Sequence, residues 1–186
     1  FNKHPKLVEE RTRMINGKWP KESCKYCKQV EDVGGTSERQ IFTAQKFWNP
    51  HEIMYSENNE IQEEVTPVIV EVYFKNTCNL ACTYCMPMFS SKIEAETKLF
   101  GPASSHHSFD GTFSSSSRYD KRKAEFWEWM HEHSHKIKMF HILGGEPLYQ
   151  KEEFEECLLF FEQSSNDNSE TGVKMFSNLM HTPKLF

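Results

Sequence analysis

"PVIVEVYFKNTCNLACTYC", residues Pro67 to Cys85, decides the fold. Pro67 to Phe74 are β-branched, aromatic and nearly continuous in apolarity, which predicts a strand covered on both faces in a parallel sheet. Cys78, Cys82 and Cys85 then follow at C-x3-C-x2-C spacing, half of the six cysteines in the chain. A thiol-rich loop is thus expected at the C-terminal end of a strand.

Downstream the strand-helix unit repeats. Residues 101 to 119 are rich in serine and histidine and are expected to form a surface loop, and residues 120 to 133 form an amphipathic helix on Phe126, Trp127 and Met130. "KIKMFHIL", 136 to 143, alternates as a strand and runs into Gly144-Gly145. "KEEFEECLLFFEQ", 151 to 163, places Phe154, Cys157, Leu158 and Phe161 on one helical stripe. "GVKMFSN", 172 to 178, is the third strand. Strand, helix, strand, helix, strand predicts an α/β sheet with right-handed crossovers. Such sheets carry their chemistry at the C-terminal strand ends, where the cysteine loop and Gly144-Gly145-Glu146-Pro147 both fall.

Upstream, residues 1 to 48 read as a small, loop-rich, cysteine-containing segment. Leu7, Val8, Arg11, Met14 and Ile15 recur at helical spacing until Asn16-Gly17 stops them. Cys24-Lys-Tyr-Cys27 is expected in a turn, and Thr36 or Ser37 caps a further short helix. Residues 49 to 66 are polar and acidic and read as a linker between this segment and residues 67 to 186. The chain opens on Phe rather than Met, and both ends run through patterned sequence, so a fragment is expected.

Composition narrows the function. With 37% hydrophobic and 13% aromatic residues the 186-residue chain can build a core. Its formal charge of −5 supplies no general basic field for a phosphate backbone, which argues against nucleic acid as a partner. No run approaches the roughly 18 apolar residues of a membrane span, and the first residues lack the apolar stretch of a signal peptide. The cysteines fall in two tight groups, Cys24/Cys27 and Cys78/Cys82/Cys85, with Cys157 alone, which suits metal binding in a reducing cytoplasm better than a disulfide framework.

Three thiolates on one loop can hold three corners of a cubic iron-sulfur cluster and leave the fourth iron open to a small ligand. A structural zinc site closes itself with four ligands, so zinc would have to recruit His106, His107, Cys24 or Cys27. Spacing alone leaves both open.

The loop Cys78-x3-Cys82-x2-Cys85, with Tyr84 before the last cysteine, resembles the signature of the radical S-adenosylmethionine (SAM) enzymes, and Gly144-Gly145-Glu146-Pro147 matches that family's GGEP motif in the same order of elements. The resemblance implies the first half of a partial (β/α)6 barrel over residues 67 to 186. It also implies a 4Fe-4S cluster on Cys78, Cys82 and Cys85, and reductive cleavage of SAM to a 5'-deoxyadenosyl radical that takes hydrogen from a substrate. Gly144 and Gly145 would let backbone approach the methionyl group, Glu146 would meet its ammonium, Pro147 completes the motif and Tyr84 would lie toward the adenine. Ser177 and Asn178 resemble the polar pair that helps hold SAM in some members, where Thr-Asn-Gly is frequent; Leu179 stands in place of the glycine.

"NGKWPKESCKYCKQVEDVGGTSERQ" is similar to the segment preceding the barrel in members with a twitch or SPASM auxiliary-cluster module. There Cys24 and Cys27 would be half the ligands of a second 4Fe-4S cluster, the others lying upstream of Phe1. By this likeness the expected substrate is a peptide or protein, with a small molecule as the variant, and the expected electron donor a flavodoxin or ferredoxin. The competing expectation is a non-catalytic zinc or iron-sulfur interaction module.

Other patterns have plainer readings. His131-Glu-His-Ser-His135 matches H-E-x-x-H, but a strand begins too soon for both histidines to share a helix, so a solvated helix end is expected. Cys157 should be a small buried hydrophobe. Glu152, Glu153, Glu155 and Glu156 should form a solvated face. Trp127 and Trp129 cannot share one helical face.

Overall fold

The computed structural model describes residues 4–20, 22–45, 65–102, 117–164 and 171–180. The chain divides into two compact units, Phe1–Val68 and Ile69–Phe186. Most of the expected linker, residues 49 to 64, and both His106 and His107 lie outside the described residues.

The first unit is helical rather than loop-rich, which corrects the expectation for residues 1 to 48. Helix α1 spans Pro5–Ile15, with proline at its first turn and Gly17 in the left-handed region (φ 69°) after its end. Helix α2 spans Lys25–Asp32, so the Cys24-x2-Cys27 pair sits at a helix start instead of in a turn: Cys24 is the N-cap and Cys27 lies in the first turn. Helix α3 spans Glu38–Thr43 and begins with a capping box, in which the Ser37 hydroxyl accepts from the Gln40 N–H while the Ser37 N–H donates to the Gln40 side chain. Ser37 is buried because its hydroxyl also donates to Glu31 (2.5 Å), which accepts a fork from Arg39 at 3.1 and 2.6 Å. The Arg39 guanidinium lies 5.0 Å from the centre of the Trp19 ring.

The second unit is a three-stranded parallel sheet in the order β1-β2-β3, with β1 Ile69–Tyr73, β2 Met139–Leu143 and β3 Gly172–Met175. Among the described residues three helices accompany it: α4 Ser91–Phe100, α5 Ser117–His133 and α6 Lys151–Ser164. The register pairs Val70 with Phe140 and Val173, and Val72 with Ile142 and Met175. Alternation places Val70, Val72, Phe140 and Ile142 on one face, where they are buried with Phe74, Met130, Ile137, Cys157 and Phe160.

That face is covered by α5 and α6. The Trp127 ring is 5.9 Å from Phe74, 6.4 Å from Phe140 and 5.4 Å from Phe160, forming the aromatic centre of the core. The opposite face is only partly covered. Glu71 and Tyr73 are exposed on β1, so the nearly unbroken apolarity of "PVIVEVYF" reports a strand buried on one face rather than both.

Helix α6 turns by one position relative to the expected stripe. Glu153, Cys157, Phe160 and Ser164 are its buried residues, while Leu158 is exposed and Phe154 and Phe161 pack at the margin. Helix α5 starts at Ser117, three residues earlier than the pattern suggested, and ends at His133, with a 3-10 turn over Ser134–Lys136. His131 and His135 therefore do not share a continuous helix. His133 stacks on Trp129, which is partly buried and packs at the margin of the core. Among the described residues no helix is long and apolar enough to cross a membrane.

Phe140 is fully buried and touched by the Phe126, Trp127 and Phe161 rings. Phe140→Ala is expected to lower the free energy of unfolding by about 3–5 kcal/mol in urea denaturation, whereas Leu158→Ala should change it by less than about 1 kcal/mol.

Candidate functional site

The C-terminal ends of all three strands open into one cleft of about 670 Å³. From the loop after β1 come Cys78, Cys82, Tyr84 and Cys85, with Leu80 and Phe89 beside them. Gly144, Gly145 and Glu146 come from the turn after β2, and Ser177 and Asn178 from the segment after β3. The cleft thus gathers every residue expected to bind in residues 67 to 186 except Pro147, which is buried at the start of a 3-10 turn and shapes the motif from behind.

The cysteine loop is held by polar residues that the motif does not name. Asn76 is buried and its side-chain amide donates to the Pro87 carbonyl (3.1 Å) and to Glu94 (2.7 Å). Ser90 caps α4 and donates to the Leu80 carbonyl (2.9 Å), while the Ser91 hydroxyl accepts from the Cys78 N–H (3.1 Å). The loop is therefore closed over the start of α4, with the Cys85 N–H bonded back to the Cys82 carbonyl at 2.9 Å. The "SSKIE" stretch carries the serine-glutamate spacing of a helix start and could have revealed α4.

The second turn locks onto the first. The Gly145 N–H donates to Phe89 O (2.9 Å) and the Glu146 N–H to Thr77 O (2.8 Å). Gly144 and Gly145 have φ of 82° and 58°, and a Cβ on Gly145 would stand 2.4 Å from Thr77 O. The glycines are thus demanded by the fit of one loop against the other, and a Cβ on Gly144 would likewise strike Tyr73 at 2.8 Å.

Gln150 adds a second tie: its side chain accepts from Lys75 N–H (3.1 Å) and donates to Lys75 O (3.0 Å) and Gly144 O (3.1 Å). Nothing in the motif pointed to it.

Glu146 is 1% exposed, and its carboxylate is fully engaged inside the protein. It accepts from Leu148 N–H (3.1 Å), the Ser177 hydroxyl (2.7 Å) and Asn178 N–H (2.7 Å). The carboxylate expected to meet a ligand ammonium therefore anchors the segment after β3. Asn178 reaches on to Asn79 in the cysteine loop at 2.9 Å. Leu179, where the resemblance would place glycine, is the one described non-glycine residue with positive φ (55°); its N–H donates to the Ser177 hydroxyl, and the following Met180 N–H donates to the Asn178 side chain.

All three thiols are partly exposed toward the cleft. Burial, reinforced by Cys78 and Cys82, pushes the Cys85 thiol up, and a hydrogen bond with Cys82 raises the exposed Tyr84 phenol. Among the described residues no three histidine, cysteine or acidic side chains are gathered tightly enough for a single metal ion. Three sulfur donors line one roomy cleft. In the first unit Cys24 and Cys27 are partly exposed, and burial raises the Cys24 thiol while Arg39 draws it down.

Below the site lies a buried charge group. Glu153 is 2% exposed, forms an ion pair with Lys75 and accepts from the Tyr119 hydroxyl (3.3 Å). Glu156 accepts from Lys123 (2.8 Å) and from Trp127 Nε1 (2.9 Å). The acidic run is thus no uniform solvated face. Cys157 beside it is 1% exposed, its thiol pushed up to about 12 by burial and the two neighbouring glutamates, and it behaves as a core residue.

Compared with protein-family models, with curated proteins and with solved structures, the chain has no match.

Glu146→Gln would set an amide NH2 against an N–H or hydroxyl donor, so a loss of about 1–3 kcal/mol of stability is expected in denaturant titration. Leu179→Gly should raise the melting temperature, since relief of a left-handed non-glycine residue is worth about 1 kcal/mol against the added chain entropy.

Proposed function

We propose that this chain is a radical SAM enzyme, or the cofactor-binding half of one, with a 4Fe-4S cluster on Cys78, Cys82 and Cys85. The observation that carries the reading is the meeting of those thiols with Gly144, Gly145, Glu146, Ser177 and Asn178 in one cleft at the C-terminal ends of three parallel strands. The two motifs are far apart in sequence, and their turns are hydrogen-bonded to one another through Thr77 and Phe89. When bound, the cluster and SAM supply one-electron cleavage of the sulfonium and a radical able to abstract hydrogen.

The protein's own part is to hold and shield. Ser91 and Asn76 fix the backbone at the loop start, so that the three thiols are presented from a pinned segment. Backbone at Gly144 and Gly145 and the amide of Asn178 border the cleft where the amino-acid end of a ligand would lie. Leu80, Leu143, Phe89 and Met175 give the cleft apolar walls that exclude water. The substrate class proposed is a peptide or protein, with electrons from a flavodoxin or ferredoxin and a cytoplasmic site of action. Cys24 and Cys27 would contribute to a second cluster with ligands supplied from beyond them.

Anaerobic reconstitution with iron and sulfide is expected to give a brown protein that releases 5'-deoxyadenosine when reduced with SAM, and Cys82→Ala to lose both properties. Tight stoichiometric zinc with no iron uptake would instead favour the metal-stabilised interaction module.

A further inference from the structure

On the sheet face turned away from α5 and α6, three ionisable side chains stand side by side. The register aligns Glu71 of β1 with His141 of β2 and Lys174 of β3, one straight row across the sheet. His141 Nδ1 lies 2.9 Å from Glu71 Oε1, and since a carboxylate only accepts, Nδ1 carries the hydrogen. The Lys174 ammonium lies 4.8 Å from the centre of the Phe176 ring, and among the described residues it has no carboxylate within ion-pair distance.

A polar row on an exposed face would be unremarkable if its neighbours were polar too. They are not. One step toward the strand starts the same face carries Ile69, Met139 and Gly172, where Met139 Sδ would sit 2.7 Å from any Cβ on Gly172. One step the other way it carries Tyr73, Leu143 and Phe176, and all three of these line the cysteine cleft. The row therefore interrupts an apolar surface about 7 Å, two strand residues, from the cleft wall. A charged row set between apolar neighbours gives a ligand of opposite charge a defined place to bind.

We propose that the Glu71–His141–Lys174 row is a recognition site for a substrate carboxylate, with Lys174 as the charge partner and His141, oriented by Glu71, as the positioning neighbour. A carboxylate seated there would put the carbon atoms a few bonds away into the cleft beside the cysteine loop. The assignment of this carboxylate to a substrate rests on the reading of the cleft as a reaction centre. The group could be an acidic side chain of a peptide or a free small acid, and the chemistry is shared.

The test is a binding titration of the full chain, followed through the His141 and Lys174 side-chain resonances, with the tripeptide Ac-Gly-Glu-Gly-NH2, its glutamine analogue and glutarate. The acidic peptide or glutarate should bind roughly two- to fivefold more tightly than the glutamine analogue, the scale of one partly exposed ion pair. Whichever acid is tighter assigns the source. Lys174→Met should erase the preference and Lys174→Arg keep it, while Glu71→Gln should strengthen acid binding by removing the competing negative charge. Equal binding of acid and amide, or a preference that survives Lys174→Met, overturns the proposal. Loss of cluster loading with the preference intact would sink the cofactor reading and leave the carboxylate site standing; normal loading with no preference would sink the carboxylate site alone.

Discussion

The second unit depends on one buried carboxylate. Glu146 has almost no contact with solvent, and an uncompensated charge at that depth would cost several kcal/mol. Two backbone N–H groups and a hydroxyl compensate it, and two of those donors belong to the segment after β3. The same residue's N–H is bonded to the cysteine loop through Thr77. Three segments that leave three different strands are thereby joined at a single side chain. Remove its charge and the segment after β3 loses its anchor; move its backbone and the cysteine loop loses a bond.

A second buried charge works at the level below. Lys75, two residues past the end of β1 where the cysteine loop opens, is paired with Glu153 on α6. Tyr119 and Lys123 on α5 approach the same carboxylate, at 3.3 and 3.9 Å. Glu156 repeats the arrangement one turn on, with Lys123 and Trp127 as partners. The tryptophan thus joins the apolar core and the ionic layer: its ring packs on Phe74 and Phe160 while its N–H satisfies a carboxylate. Together these contacts link the covering helices to the loop that carries the thiols.

How far the sequence could be read depended on whether the signal was local. The strands and the helices α5 and α6 of the second unit follow from period and punctuation, whereas α4 was missed, and the two motifs fell at strand ends because their glycines and cysteines sit beside runs such as "KMFHIL". What escaped was set by tertiary partners. Glu153 looks like its neighbours in the acidic run, and only its spacing of four from Cys157 and seven from Phe160 hinted that it faces inward. The helix at Lys25–Asp32 was masked by lysine, tyrosine and cysteine, none of which announces a start as Ser37 does. Glu146 was legible as a motif residue, but its partners lie some thirty residues on, at Ser177 and Asn178, and spacing in the chain says nothing about which donors will reach it.

Gln150 offers a last lesson. Its amide spans the ends of β1 and β2, prolonging the sheet's ladder by one rung made of side chain instead of main chain. A main-chain rung would have forced the two loops to continue as strands, running alongside each other at constant pitch. A side-chain rung keeps the spacing while letting both backbones leave strand geometry, and the next main-chain bond, Glu146 N–H to Thr77 O, joins turn to turn. The floor of the cleft is thereby fixed where the two turns meet, at a spacing set by the reach of one glutamine.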